Sequence, residues 1–357
     1  MMQRHPVSRY RFHGLSPLLL GLLVSISVEA ADAPLRIYWT DVEGGAATLI
    51  VTPAGETILI DTGLPGERDP GRIAHTVRER AGAERIDHLV VTHFDTDHYG
   101  GTADLAKLVP IGRVYDPGLP RDPSAGLGRG LVAYLDAVAE RRTVIRPGDV
   151  LPLRAAATSG ARLSIRCLAS YQEFLATNRQ EEAPTPAVCA QHETRGKDMS
   201  QNANSVVLLV QFGAFRFLDA ADLTWELEKK LVCPYNLVGQ VDVFQVDHHG
   251  LAESNNPVLV EAIAPRVAII NNGHRKGAAP ATLATLRKVS TIDAIYQLHR
   301  NLGVDDSVNT SAHRIANEAQ KCDANVVTLE VSPDGKRYQV SVPAKGTSES
   351  YAVWSQE

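Results

Sequence analysis

Apolar and polar positions alternate in short runs that predict β-strands. Three such runs come early: LRIYWTDV (35–42), AATLIVTP (46–53) and ETILIDTG (56–63). They are rich in β-branched residues, and glycine or proline residues separate them, which is typical of strands joined by turns. The pattern therefore predicts three consecutive strands at the start of the folded part of the chain.

Helical spacing comes next. The segment DPGRIAHTVRERAG places Ile73, Ala74 and Val77 at helical spacing and stops at Gly82. A strand, RIDHLVVTH, and an amphipathic helix near 102–109 follow. The second half repeats this style, with strands SVVLLVQFG, FRFLDAAD, VDVFQVDHHG and RVAIINNG, helices in 255–264 and 280–289, and late strands near 325–331 and 337–342.

Strand runs followed by a helix in each half predict two sheets packed face to face with helices outside. We expect one domain over residues 31–345 and a C-terminal tail over 346–357. Residues 117–130 and 178–203 are rich in Pro, Gly, Asn and charged residues and are expected to be loops. The second of these loops is long enough to cover a site.

The first thirty residues are typical of a secretory signal peptide. Arg4, Arg9 and Arg11 precede an apolar run over 15–28, and small residues allow cleavage after Ala30. A transmembrane anchor is the weaker reading, because the run is shorter than the roughly 20 residues that a span needs. We therefore expect a secreted or periplasmic protein without a stable membrane anchor.

Composition describes an ordinary globular protein, with 357 residues, 44% hydrophobic and 22% charged. The net charge of -5 gives no global attraction to nucleic acid or anionic lipid, although a local basic patch is compatible with it. The four cysteines are an even number, which an exported protein can pair in two disulfides. Free buried thiols are the alternative, and no CxxC spacing indicates a zinc site of their own. The cysteines are Cys167, Cys189, Cys233 and Cys322.

The stretch DHLVVTHFDTDHYGG (87–101) carries the strongest chemical signal. His93, Asp95, Asp97 and His98 stand at offsets 0, 2, 4 and 5 directly after an apolar strand. Imidazole nitrogens and carboxylate oxygens are the ligands that hold divalent first-row metals. Four ligand-type side chains in six positions make solvated surface residues a poor explanation, so the loop is expected to bind metal.

This stretch resembles the signature of the metallo-β-lactamase superfamily, H-x-[HD]-x-D-H followed by Gly. The segments DVEGGAATLIVTPAGETILIDTG and FRFLDAADLTWELE…VDVFQVDHHG resemble the extracytoplasmic domain of ComEC-type competence proteins and their secreted relatives. The resemblance covers about residues 35–342. It implies an α/β (α+β) fold, a four-layer αββα sandwich of two mixed sheets, with a metal site, usually binuclear, that activates water for hydrolysis.

The resemblance also implies a ligand set. His93 and Asp95 would hold the first metal, Asp97 and His98 would serve the second, and Asp222 would bridge both. Asp222 could instead be only a helix N-cap, because it directly precedes LTWELEKKL.

The pair HHG would supply the final ligand. We favour His248 because it comes first after the strand, and His249 would then face the substrate or orient a ligand. Asp61, in LIDTG, matches a carboxylate that orients the metal loop. Without the resemblance, Asp61 could be a turn former and the histidines a solvated turn.

Two departures from the family pattern alter the first metal position. Asp95 stands where many members have histidine, and the segment QNANSVVLLV offers Asn202, Asn204 and Ser205 where most of the hydrolases have another histidine. His192 is the only nearby substitute. Oxygen ligands harden a site, so one or two divalent ions are expected, Zn or Mn, with Mg or Fe also compatible.

Substrate contacts are expected after a strand of the second half. His274, Arg275 and Lys276, in NNGHRKG, are suited to bind phosphate or another anion, with a basic surface turn as the alternative. Asp97 or Asp222 could take the proton from the attacking water.

These observations favour a secreted metal-dependent hydrolase, most simply a phosphoesterase, acting on a small-molecule or polymeric ester such as nucleic acid. The acidic composition argues against strong nucleic-acid binding, and the missing histidine argues against β-lactam hydrolysis. Hydrolysis of another ester, a lactam or a sulfate ester is one alternative. A catalytically weak metal-binding protein is the other, and the sequence leaves the oligomeric state open.

Overall fold

A computed structural model describes most of the chain. The described residues are 1–3, 33–120, 128–155, 160–176 and 185–355. Contacts divide the chain into Met1–Ala31 and a compact unit, Asp32–Glu357. The predicted signal peptide, residues 1–30, lies outside the described residues except for positions 1–3.

Two mixed sheets form the centre of the compact unit. In chain order the strands are β1 (Leu35–Trp39), β2 (Thr48–Val51), β3 (Thr57–Ile60), β4 (Ile86–Val90), β5 (Ile111–Asp116), β6 (Arg142–Val144), β7 (Leu163–Ser170), β8 (Glu173–Phe174), β9 (Val207–Phe212), β10 (Phe215–Asp219), β11 (Val243–Gln245), β12 (Val267–Ile270), β13 (Ala294–His299), β14 (Ile315–Asn317), β15 (Val327–Val331), β16 (Arg337–Val342) and β17 (Thr347–Ala352). The first sheet has the order β17-β16-β15-β1-β2-β3-β4-β5-β6, and the second has the order β14-β13-β12-β11-β10-β9-β7-β8. Neighbouring strands run parallel from β3 through β6 and from β10 through β14. In contrast, β1 pairs antiparallel with β2, and β2 pairs antiparallel with β3.

Helices cover the outer face of each sheet. They are α1 (Arg68–His75), α2 (Thr96–Tyr99), α3 (Thr102–Leu108), α4 (Arg129–Val138), α5 (Trp225–Val232), α6 (Pro257–Ile263) and α7 (Pro280–Lys288). A π-helical turn, Thr76–Arg80, continues α1. None of the helices in the described part of the chain has the length and apolar content needed to span a bilayer.

Side-chain alternation along the strands builds three apolar layers. Ile37 and Trp39 of β1 meet Leu208 and Val210 of β9 in the core between the sheets. Tyr38 points to the opposite face, in the layer that α1, α3 and α4 cover. A third layer lies between the second sheet and α5, α6 and α7. The predicted αββα sandwich is confirmed.

The C-terminal segment differs from the sequence prediction. Residues 347–352, assigned above to a tail, form β17, which pairs antiparallel with β16 at the edge of the first sheet. Tyr351 is buried there, stacks on Tyr338 and shares a hydrogen bond with the hydroxyl of Tyr296. The polar letters TSESYA hid this strand, because an edge strand exposes every second side chain.

The predicted loop over 178–203 is held down in its described part. A disulfide joins Cys189 to Cys233, next to α5, and short 3₁₀ helices cover Ala187–Gln191 and Gln201–Asn204. Cys167 and Cys322 form no disulfide. Only one of the two disulfides that the cysteine count allowed is therefore present.

Candidate metal centre

The candidate ligands lie at the carboxyl ends of strands. Asp61 follows β3, His93 follows β4, Asp222 follows β10, and His249 follows β11. The carboxyl ends of parallel strands meet at one edge of a sheet, which is where α/β folds place their ligands. Both sheets therefore contribute side chains to one place.

Four ligand atoms converge within 4.8 Å of one another, from Asp97, His98, Asp222 and His249; we call this group the metal cluster. His98 Nε2 lies 3.1 Å from Asp222 Oδ2 and 3.2 Å from His249 Nε2. His249 Nε2 lies 3.3 Å from both Asp97 Oδ2 and Asp222 Oδ2, and His98 Nε2 lies 3.7 Å from Asp97 Oδ2. Ligands at about 2.0–2.2 Å from a tetrahedral ion stand roughly 3.3–3.6 Å apart. The donor set and its spacing therefore fit a divalent ion.

Electrostatics at the metal cluster point the same way. Burial alone would lower the pKa of His98, but the carboxylates of Asp222 and Asp61 outweigh burial and raise that pKa well above its ordinary value. Burial would raise the pKa of Asp222, yet the imidazoles of His249 and His98 hold it well below its usual range. Buried carboxylates here demand positive charge, which protons or a metal ion can supply.

Asp61 orients His98. Its Oδ2 lies 2.7 Å from His98 Nδ1, and its two oxygens accept hydrogen bonds from the amide and hydroxyl of Thr92 at 2.8 and 2.7 Å. This contact holds the Nδ1 proton and turns Nε2 into the metal cluster. Asp61 thus lies where the sequence analysis expected an orienting carboxylate.

His93 and Asp95, which we call the open pair, are less complete. His93 is fully buried, and its Nε2 has no hydrogen-bond partner among the described residues. Its nearest carboxylate oxygen is Asp95 Oδ2, at 3.8 Å, on a side chain that is 40% exposed. An orphaned buried nitrogen beside a carboxylate fits a second, weaker ion position with few protein ligands.

The segment 202–206 gives this position little help. Val206 donates its amide to the Thr92 carbonyl, so Ser205 lies beside the metal loop, and its buried hydroxyl has no partner in the described structure. Asn204 instead bonds Gln172 and Gln201.

His192 does not substitute for the missing histidine. Its ring nitrogens contact Glu226 at 3.1 Å and Asn256 at 3.0 Å. It therefore anchors the loop to α5 and α6, and the sequence-based alternative that it replaces a ligand is wrong.

The structure places His249 in the metal cluster, whereas the sequence analysis favoured His248. His249 is fully buried with Nε2 in the metal cluster, whereas His248 Nε2 lies 3.6 Å from Asp222 and takes a hydrogen bond from Asn202. Both have left-handed backbone, with φ of 52° and 54°. Two such residues in a row redirect the chain, so the first histidine after the strand faces outward and the second faces in. A Cβ on Gly277 would lie 2.1 Å from the His249 carbonyl, so this turn is tightly packed.

The predicted basic turn reaches the same cluster. Lys276 forms an ion pair with Asp97, and its side chain is 40% exposed. Arg275 is exposed, and His274 is half-buried with its Nδ1 unpartnered in the described structure. Gly44 packs against this turn, where a Cβ would lie 3.1 Å from Lys276 Cβ. Lys276 is therefore the basic residue of the three that contacts a candidate ligand.

Sequence reasoning missed three buried carboxylates near the metal cluster. Glu228 accepts hydrogen bonds from the amides of Asn255 and Asn256. Burial raises the pKa of Asp219 to about 7, and burial together with the nearby Glu228 raises that of Asp247 well above its usual range. No local pattern distinguishes these residues from ordinary helix and turn carboxylates.

Comparison with known proteins gives one family match and several similar proteins. The family model of the metallo-β-lactamase superfamily matches residues 40–165. Competence protein ComA of Neisseria gonorrhoeae is 25% identical over 281 residues, which are 77% of this chain and 33% of that protein. A metal-dependent hydrolase of Cupriavidus taiwanensis is 36% identical over 127 residues, 35% of this chain and 39% of that protein. The chain thus spans between a third and two fifths of the length of these relatives. Among solved structures, the diiron β-hydroxylase CmlA of Streptomyces venezuelae is 18% identical, with 74% of this chain and 52% of that chain covered and a TM-score of 0.43.

Two packed mixed sheets with a histidine–carboxylate cluster at one edge define a metal-dependent hydrolase-like αββα protein. Over residues 40–165 the chain matches the metallo-β-lactamase superfamily, and it is similar to competence proteins over a larger part of its length.

Proposed function

We propose that this protein is an exported hydrolase that cleaves phosphoester bonds with metal-activated water. The observation that carries the proposal is the convergence of Asp97, His98, Asp222 and His249, whose ligand atoms all lie within 4.8 Å of one another. A divalent ion bound there would lower the pKa of water and stabilise charge on a phosphoryl oxygen. Side chains of the protein would supply the proton acceptor and the contact to the anionic substrate.

Asp97 is the better proton acceptor of the two candidates. Its side chain is 21% exposed and lies at the open side of the metal cluster, whereas Asp222 is 4% exposed and contacts three imidazoles. A carboxylate surrounded by imidazoles has no free approach for a water proton. Asp97 would therefore take the proton, and Asp222 would hold the cation.

Lys276 favours an anionic substrate. It neutralises Asp97 in this structure and, being partly exposed, can turn toward a phosphoryl group that approaches the metal cluster. His248 is partly exposed and held by Asn202 and by Ser254, whose hydroxyl lies 3.3 Å from its Nδ1. These contacts engage both ring nitrogens and hold the ring beside Asp222, at the edge of the metal cluster.

The likeness to competence proteins favours a phosphodiester, and single-stranded DNA is the first polymer to test. With the metal-loaded protein, we expect turnover of bis-p-nitrophenyl phosphate and none of nitrocefin, and cleavage of DNA would extend the substrate to nucleic acid. Turnover of another ester or of nitrocefin alone would assign a different hydrolase. Bound metal without turnover on any ester would overturn the hydrolase in favour of a metal-binding protein.

A lysine variant tests the substrate contact. We expect Lys276→Gln to raise KM for an anionic phosphodiester roughly tenfold, equivalent to about 1.4 kcal/mol, with a smaller change in kcat. Lys288→Gln, at an exposed position on α7, is the matched control. An unchanged KM would remove Lys276 from the substrate site.

Export is the second part of the proposal. It is supported by the N-terminal pattern of residues 1–30 and by the Cys189–Cys233 disulfide, since disulfides persist in oxidising compartments. Mass spectrometry of the protein recovered outside the cytoplasm should show a chain that begins at Ala31. An intact N-terminus in the cytoplasmic fraction would contradict export.

A further inference from the structure

A second group of ligand-type side chains lies outside the metal cluster. Asp41, His299 and Cys322 bring one ligand atom each within 4.8 Å of one another; we call this group the thiol site. Asp41 follows β1, His299 ends β13, and Cys322 lies in the connection before β15. Three distant segments therefore meet at one point.

The separations at the thiol site fit one face of a metal tetrahedron. His299 Nε2 lies 3.1 Å from Asp41 Oδ2, and Cys322 Sγ lies 3.2 Å from the same oxygen and 3.6 Å from His299 Nε2. Zinc bonds of about 2.0–2.2 Å to nitrogen or oxygen and about 2.3 Å to sulfur give edges of roughly 3.3–3.7 Å. Small inward or outward shifts of these side chains are enough to seat an ion.

Burial and charge also suit a dication. Asp41 and His299 are fully buried, while Cys322 is half-buried, so the fourth position faces the accessible side. Arg72 donates to Asp41 Oδ2 at 3.2 Å and to Glu43 at 3.0 Å, and its Nη2 lies 3.8 Å from Cys322 Sγ, so it favours the charged forms of both the carboxylate and the thiol. A dication that displaces the thiol proton and the proton shared by His299 and Asp41 leaves the local charge unchanged.

We propose that Asp41, His299 and Cys322 form a separate site for a thiophilic divalent ion such as Zn²⁺, which fastens the loop after β1 to the end of β13. The thiolate ligand selects zinc, whereas the all-nitrogen-and-oxygen metal cluster also accepts harder ions. This inference goes beyond the proposed function and does not depend on it.

The site would stiffen a loop that contacts the metal cluster. Ala46, at the end of that loop, donates its amide to the Asp97 carbonyl at 3.2 Å. A Cβ on Gly45 would lie 2.5 Å from the same oxygen. Fastening Asp41 therefore fixes the backbone that Asp97 depends on.

Cobalt spectroscopy of the full chain tests the proposal. The metal cluster has no sulfur ligand, so a thiolate-to-Co²⁺ charge-transfer band in the near ultraviolet reports the thiol site alone. We expect the band in the wild-type protein and in Asp222→Ala, and its loss in Cys322→Ser. Cys167→Ala, which removes the other free thiol, is the matched control and should keep the band. Absence of the band in the wild type, or its persistence in Cys322→Ser, overturns the proposal.

Alkylation of the wild-type protein gives a test that needs no variant. Iodoacetamide should label Cys322 about tenfold more slowly at a free Zn²⁺ concentration about ten times the dissociation constant. Mn²⁺ should give no protection, because it disfavours thiolate. Peptide mapping measures the rate at Cys322, and a rate that Zn²⁺ leaves unchanged overturns the proposal whether or not the protein hydrolyses any ester.

Discussion

The two ends of the metal loop, which joins β4 to α3, differ in how fully they are built. At one end, Asp97 and His98 join Asp222 and His249 in a compact cluster, and Asp61 orients His98 from behind. At the other, His93 keeps an unpartnered buried nitrogen, and Asp95 stands 3.8 Å away on a half-open side chain. A six-residue motif thus yields one closed and one open end.

The difference shows that ligand letters alone do not make a metal position. The closed end has partners from both sheets and a carboxylate that fixes the imidazole, which is the outer support that metal ligands usually need. The open end lacks the extra histidine of the family pattern, and Asn204, in the corresponding segment, bonds Gln172 and Gln201 instead. We therefore expect the closed end to bind its ion more tightly than the open end.

Breaking the closed end should have the largest effect. We expect His98→Ala and Asp222→Ala each to lower kcat/KM by about three orders of magnitude, or about 4 kcal/mol, because each removes a ligand at the centre of the metal cluster. Steady-state kinetics on a phosphodiester measures this, with circular dichroism to verify folding. His75→Ala, at an exposed position on α1, serves as control. Full activity in either ligand variant would show that the active site lies elsewhere.

Competition between protons and the metal ion at the closed end should have the next largest effect. The pKa values of His98 and His249 are raised because, although burial opposes it, neighbouring carboxylates stabilise their protonated forms. An ion must displace those protons, so its affinity falls as pH drops through the raised pKa values, beginning above the ordinary imidazole value of about 6.5. Two displaced protons give up to about a hundredfold loss per pH unit. Calorimetric titration with metal over a pH series measures the slope, and a pH-independent affinity would contradict this cluster as the ion site.

Loss of the orienting carboxylate should have a smaller effect. Asp61→Asn is expected to weaken metal binding by about 10- to 100-fold, because His98 loses the acceptor that fixes its Nδ1 proton. Competition with a chromophoric chelator measures the affinity, and Asp305→Asn, at an exposed position, is the control. An affinity equal to that of the wild type would mean that Asp61 is only a turn residue.

Completing the open end should have the smallest effect. Asp95→His gives the open pair a second imidazole, so we expect zinc to bind there about tenfold more tightly, a gain of about 1.4 kcal/mol. The number of zinc ions retained after dialysis, measured by elemental analysis, should rise toward two. If zinc affinity stays the same, position 95 does not ligate.

The sequence predicted part of the site through motifs that follow strands. The resemblance to the metallo-β-lactamase superfamily implied that Asp61, His98 and Asp222 belong to one site, and the structure brings these residues together at one sheet edge. The choice of His249 over His248 could not be predicted, because it depends on two consecutive left-handed residues. This left-handed conformation is uncommon for residues other than glycine, and the neighbouring sequence does not predict it.

The thiol site shows the same limit in stronger form. Asp41, His299 and Cys322 are each single residues without a motif, and only the packing of three remote segments joins them. The fold followed a similar rule, since the alternating runs predicted the sandwich while the short or polar strands β8, β14 and β17 gave little signal. Local patterns reveal what neighbouring residues do together, and contacts between distant segments appear only after folding.

The return of β15 to the first sheet has a kinetic consequence. Leu35 pairs with Val331, so β1, near the middle of its sheet, keeps one bare edge until almost the whole chain has emerged from the ribosome. Pairings between such distant segments are slow to form, because a long loop must close first. Ribosome-bound chains that stop short of β15 should therefore remain sensitive to protease.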